Sequence, residues 1–470
     1  MFPALQPEFR PMIRLAAPVV MAELGWMTMG IVDTLMVGRL SPEAIGAVGV
    51  GSSLFISVAI FSMGLMLGLD ALVSRAFGAG DLEDCHRWLV HAVALALLAS
   101  PLFMLVLFGM AGLLGRWGLT PTVLELTRPY LNAVTWSLPP LLLYSAFRRY
   151  LQGMGVVRPI MVALISANIV NAVFNWILIY GHLGAPAMGV RGSAWSTVLA
   201  RCMMAAHLFG VIVRRERGRS TGLFETSVRI DRTWMMRLIG LGVPAASQVT
   251  LEVGVFAAST ALAGRLPAAA LAAHQIAVNI AAFTFMVPLG VGSAGAVRVG
   301  QAIGRRDPRG AARAGWTALL FGGGFMACSA AVFLLLPAVL IGAFTADPRV
   351  LEVGVSLLMV AALFQLFDGL QAVATGVLRG LGDTRTPMIW NLAGHWFVGL
   401  PLGYVLCFTV GIGVIGLWWG LSTGLIICGV SLVVTWSRRI HAASALPPHS
   451  GPLKQETIQE EGAEIVSRLD

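Results

Sequence analysis

Three carboxylates, Asp33, Glu252 and Asp368, sit in stretches otherwise fit to lie in lipid: "MGIVDTLMVG", "QVTLEVGVFA" and "LFQLFDGLQA". An ionisable side chain at bilayer depth costs roughly 2.5–3.5 kcal/mol, so three cost on the order of 8–10 kcal/mol before any partner compensates. Acids kept at that cost are suited to hold a cation. Their neighbours carry oxygen. Gln248 precedes Glu252 by four residues, on the same helical face. Gln365, Gln371 and Thr375 stand at −3, +3 and +7 from Asp368, a polar stripe down an apolar helix. A hard cation such as Na⁺ needs several oxygen ligands. A proton needs only a carboxylate in a desolvated or like-charged setting. These residues fit both.

Asn168, Asn171 and Asn175 fall at i, i+3 and i+7 and line one face of a helix, with Asn175 at the depth of Asp33. Taken one by one, such asparagines also serve as interhelical hydrogen bonds worth about 0.6 kcal/mol each. Asp33 has an alternative partner in Arg39, and Glu252 and Asp368 could bond only to neighbouring helices. Asp70, five residues before Arg75, reads as a salt bridge or cap. His274 reads as a satisfied interfacial histidine and Asn279 as a cavity residue. "GVGSAG" (290–295) falls inside a helix and reads as close helix packing. No Gly-Lys-Ser/Thr phosphate loop, HExxH or nucleophile elbow is present, so the chain is not expected to be an enzyme or to burn ATP itself. No cofactor is expected. Five scattered cysteines lack metal-ligand spacing.

The elements that position these residues are membrane spans. The 470-residue chain is 57% hydrophobic and 12% charged, half the charge of a soluble domain, with mean hydropathy +0.81. Runs of about 20 apolar residues predict twelve helices over 13–36, 46–70, 88–113, 130–148, 159–180, 190–213, 236–262, 271–297, 314–341, 350–376, 386–409 and 414–436. They divide into a first lobe (1–213), a polar linker (214–235), a second lobe (236–436) and a polar tail (437–470). With the N-terminus inside, 25 of the 32 Lys/Arg fall on the cytoplasmic side, six outside, and Arg201 within a helix. Such asymmetry sets orientation: both termini are expected in the cytoplasm. The net charge of +9 is thereby a topology signal and not a nucleic-acid surface.

An internal repeat runs through both halves. At an offset of 226, Pro18 meets Pro244, Gly38-Arg39-Leu40 meets Gly264-Arg265-Leu266, and Asp81 meets Asp307; at 227, "LQGMGVVR" (151–158) meets "LRGLGDTR" (378–385). A six-helix repeat keeps both copies in one orientation, related by an axis along the membrane normal, with ligands between or within them. Two similar halves rocking about a central cavity is the geometry of alternating access. The carboxylates are not repeated: Asp33 falls opposite Ser259, Glu252 opposite Trp26 and Asp368 opposite Leu141. Each lobe therefore has its own polar chemistry, and the Glu252–Asp368 pair is the stronger candidate for the coupling ion.

The stretches "VDTLMVGRL" (32–40), "LDALVSRAFGAGD" (69–81), "VPAASQVTLEVGVF" (243–256), "HQIAVNIAAFTFMVPLGVGSAGAVRVGQAIG" (274–304) and "FDGLQAVATGVLRGLGDTRTPM" (367–388) closely resemble the MATE family of multidrug and toxic compound extrusion antiporters, in its NorM-type branch. The resemblance implies an all-α, V-shaped molecule of two six-helix lobes. It implies export of lipophilic organic cations in exchange for Na⁺ or H⁺. The family's cation-linked residues map onto Asp33, Glu252 and Asp368, with Na⁺ a candidate at the last two, and its fifth-helix asparagines onto Asn171 and Asn175. Asn168, Gln248, Gln365, Gln371 and Asn279 are added from spacing alone. A bacterial inner-membrane monomer is expected. The alternative is a flippase for a lipid-linked saccharide of the same architecture, but that cavity would need Arg or Lys where this chain places acids.

Overall fold

The computed structural model describes residues 2–445 apart from 119, 220 and 227; the acidic tail lies outside the described residues. Among the described residues there is no strand. Eleven continuous helical stretches among these residues are long and apolar enough to cross a membrane: Leu5–Val37, Pro42–Ala79, Leu82–Arg116, Arg158–Tyr180, Val190–Gly218, Arg232–Ala263, Ala268–Gly304, Pro308–Leu335, Pro348–Gly380, Arg385–Thr409 and Val414–Ala443. The twelfth crossing, fourth in chain order, is built from two helices, Pro121–Thr135 and Leu138–Gly153. It breaks at Trp136–Ser137 because Pro139 and Pro140 have no N–H to return to the carbonyls of Thr135 and Trp136. The spans are numbered first to twelfth in this order below.

Several ends differ from the apolar runs. The sixth helix continues to Arg219 and the seventh starts at Arg232, so the linker shrinks to 220–231. The twelfth runs to Ala445, past the expected end at 436. Arginine is a good helix former, and hydrogen bonding carries a helix beyond the point where hydropathy falls. The ninth stops early, at Leu335, because Pro337 opens a separate short helix, Pro337–Gly342.

The repeat lives in the turns. Asp81 caps the third span by accepting from the Asp84 N–H at 2.9 Å, and Asp307 caps the ninth by accepting from the Gly310 N–H at 2.7 Å. Gly155 and Gly382, matched at the 227 offset, take φ of +77° and +76°, a left-handed conformation that glycine adopts without steric cost.

Among the described residues, the hydrophobic core that joins the two six-span bundles lies toward one end. Leu238, Ala246, Val297, Val377 and Trp436, all near the arginine-rich end of the second bundle, share one hydrophobic core with the first. Phe333, Leu357, Phe364, Trp418 and Leu425, toward the other end, form a core of their own. The molecule is thus a V whose arms meet at the arginine-rich end. Backbones nearly touch there: a Cβ on Gly64 would strike the Ala246 backbone, and one on Gly300 the Ser74 side chain. Small residues let helices approach this closely in lipid. Polar links cross the same seam. Arg298 grips Glu8 with two hydrogen bonds of 2.5 and 2.9 Å, and Gln301 Nε2 donates to the Gly153 carbonyl at 2.9 Å. Asp70, fully buried, pairs with Arg149 of its own bundle at 3.2 Å and with Arg379 of the other at 3.1 Å. The nearby Arg75 is therefore not its partner; helix packing brings two distant arginines closer than the sequence neighbour.

Candidate functional site

Glu252 from the seventh span, half-buried, and Asp368 from the tenth, buried, both lie in the second bundle, and the charge of one reaches the other. Glu252 accepts hydrogen bonds from Gln248 Nε2 at 2.5 Å and, at the long limit of 3.5 Å, from Asn391 Nδ2. Gln371 also turns toward Glu252, yet neither atom of its amide has a hydrogen-bond partner. Three further buried oxygens around these spans are likewise without one: Gln365 Oε1, Thr375 Oγ1 and Asn391 Oδ1. An unsatisfied buried polar atom costs about 1–3 kcal/mol. Unpaired oxygens on and beside the spans that carry these two carboxylates are a donor set suited to a desolvated hard cation. Gln365 is partly committed elsewhere. Its Nε2 donates to Thr284 Oγ1 at 2.8 Å and Ser329 Oγ at 2.9 Å, stapling the eighth, ninth and tenth spans.

Asn391 is the member that spacing arguments missed. It comes from the eleventh span, at the start of a π-helical stretch, Leu392–Gly399. Such widened turns often occur at functional sites. Its one sequence signal is a lone amide in the apolar run "MIWNLAGHW" (388–396).

The first bundle holds a separate cluster. Asp33 accepts from Asn175 Nδ2 at 2.6 Å and from Thr197 Oγ1 at 3.2 Å, and Asn175 also donates to Asn171 Oδ1 at 3.2 Å. Its partners are thus side chains of the fifth and sixth spans and not Arg39. Asn168 does not join them, although it shares their helical face. Its Nδ2 donates to the carbonyls of Gly25 and Leu164, both at 2.9 Å, and so fastens the fifth span to the first. Asn279 is exposed on the eighth span and is brought to neither cluster. His274 Nδ1 accepts from Trp418 Nε1 at 3.0 Å and Nε2 meets Thr260 Oγ1 at 2.9 Å, a satisfied interfacial histidine. Thr197 escaped notice because one threonine in a helix carries no period.

Twelve spans in two bundles fused at one end, with acids buried within each bundle, define a multi-pass membrane transporter. The chain belongs to the MatE family: the family's model matches residues 18–177 and again 244–405, the two matches starting at the repeated Pro18 and Pro244. It is 38% identical over 446 residues to the probable multidrug resistance protein NorM of Mesorhizobium japonicum, covering 93% of this chain and 96% of that one. It is 35% identical over 473 residues to the multidrug resistance protein PmpM of Pseudomonas aeruginosa, covering 99% and 97%. In fold it is similar to an outward-facing multidrug resistance MATE family transporter of the MOP superfamily, with a TM-score of 0.84 at 19% identity over 93% of this chain and 96% of that one.

Proposed function

We propose that this chain is a secondary antiporter that exports lipophilic organic cations in exchange for Na⁺ or H⁺. The observation that carries the reading is the Glu252–Asp368 pair: a half-buried and a buried carboxylate inside one bundle, on spans that also carry unpaired amide and hydroxyl oxygens. Such a pair holds a cation, inorganic or organic, more tightly than water does, and two like charges in one apolar setting favour its uptake. A substrate cation and a coupling ion then compete for the same acids, and by linkage each weakens the other's binding. Asp33 with Asn171 and Asn175 forms the polar site of the first bundle. Gln248, Gln371 and Asn391 orient the second.

The conformation fits one step of the cycle. The arms meet at the end that loop charge assigns to the cytoplasm, so the cavity opens outward, the state in which ion entry expels substrate. Relatives named multidrug resistance proteins, among bacteria, support drug export across the inner membrane; the working unit of this reading is a monomer, with the termini that loop charge assigns to the cytoplasm. The saccharide-lipid flippase is not favoured: the second bundle's site presents acids where an anionic headgroup would need arginines.

Ethidium efflux from proteoliposomes, with Na⁺ and pH gradients imposed separately, tests the proposal. One gradient should drive efflux in the native protein, and Glu252→Gln or Asp368→Asn should abolish it while the protein stays monodisperse. Undiminished efflux in both variants would overturn the shared-site mechanism.

A further inference from the structure

Arg201 is the one basic residue set well inside a span by sequence, and the structure buries it in the first bundle at 7% exposure. A charge there is costly, roughly 2.5–3.5 kcal/mol, so what it faces matters. Its Nη1 donates to Ser137 Oγ at 2.5 Å, at the break in the fourth span. Its guanidinium carbon lies 4.5 Å from the Phe55 ring centre and 5.6 Å from that of Trp26, within cation–π range of both. Its Nε has no hydrogen-bond partner. It stands one helical turn after Thr197, the residue that donates to Asp33. The acid whose charge reaches it is Asp33.

The two bundles therefore differ in charge at their centres. The second sets two acids, Glu252 and Asp368, against neutral amides and hydroxyls. The first sets Asp33 near one arginine already seated between aromatic rings, while its other in-span acid, Glu23, is paired with Arg148. A positively charged aromatic ligand would look for that same arrangement, a carboxylate beside ring faces.

We propose that Arg201 is a tethered counter-cation that occupies the place a cationic ligand would take beside Asp33, making it a specificity-determining residue. It confines singly charged organic cations to the second bundle and leaves the first suited to neutral or zwitterionic aromatic compounds. The inference refines the antiport reading but is tested apart from it, in a background where Glu252→Gln and Asp368→Asn have removed the second bundle's acids.

The probe is radiolabelled tetraphenylphosphonium, measured by equilibrium dialysis on the purified, monodisperse chain. In the neutralised background binding should be weak. Adding Arg201→Gln should tighten it by about tenfold or more, equivalent to about 1.4 kcal/mol, and Asp33→Asn should cancel that gain. Arg201→Lys, which keeps the charge, should bind as weakly as its parent. Should Arg201→Gln fail to fold, the converse measurement decides. Asp33→Asn in the otherwise native chain leaves Arg201 unneutralised and should raise affinity for a singly charged aromatic sulfonate. No tightening of phosphonium in Arg201→Gln, a gain that survives Asp33→Asn, or no gain of sulfonate in Asp33→Asn would overturn the inference and leave Arg201 as a structural brace for the broken span.

Discussion

Removing Arg379 should loosen the seam that closes the arginine-rich end. Asp70 is fully buried and meets Arg379 across the seam at 3.1 Å and Arg149 within its own bundle at 3.2 Å. At an effective dielectric of about 20, unit charges that close attract by roughly 5 kcal/mol, most of which desolvation offsets. Arg379→Gln removes only the cross-bundle partner, and Arg149 still neutralises Asp70, so folding of the first bundle is spared. A net loss of about 1–3 kcal/mol then falls on the outward-open state alone and shifts the balance about 5- to 150-fold toward the inward-open one. Spin labels at the exposed positions 158 and 385, matched turns of the two bundles, in a cysteine-free chain, read this out as a distance distribution. The native seam should give one short population and Arg379→Gln a second, longer one, with Arg379→Lys falling between them. An unchanged distribution in Arg379→Gln, with and without substrate, would refute the idea that this ion pair latches the seam.

Two further outcomes follow from the geometry. Asn168→Ala should leave efflux intact while lowering thermal stability by about 0.6 kcal/mol, since its bonds only join the first and fifth spans, whereas Asn175→Ala, which strips Asp33 of its 2.6 Å donor, should reduce efflux; equal efflux in the two would undo the distinction. Asp231 caps the seventh helix from the linker, and the backbone N–H groups of Trp234 and Thr233 hold its carboxyl below the ordinary range. A depressed value means that the cap stabilises at neutral pH and stops doing so as pH falls through the folded-state value. Asp231→Ala should therefore melt earlier than the native chain at pH 7, and the gap should close on acidification below the usual aspartate range; a pH-independent gap would contradict this.

Much of the molecule was legible before any coordinates. Spans follow from apolar run length, since lipid leaves backbone groups no partner but the helix itself. The repeat followed from turn residues whose geometry tolerates few substitutes, Gly155 and Gly382 above all. Helix ends were less visible, because hydropathy marks where lipid stops and not where hydrogen bonding does. Asn168 shows the limit of periodicity: spacing put it on the face of Asn171 and Asn175, but the first span passes close enough to take its amide.

The three acids of the candidate sites, their separation into two bundles and the twelve-span frame are written in residue type and spacing, because the cost of a charge in lipid is local and readable one residue at a time. Which groups surround those acids is not. Asn391 reaching Glu252, Thr197 reaching Asp33, Arg379 reaching Asp70 and Arg201 lodged between Phe55 and Trp26 are contacts between helices far apart in the chain. Only the packing of whole helices decides them, since a span's rotation and depth depend on every neighbour it meets.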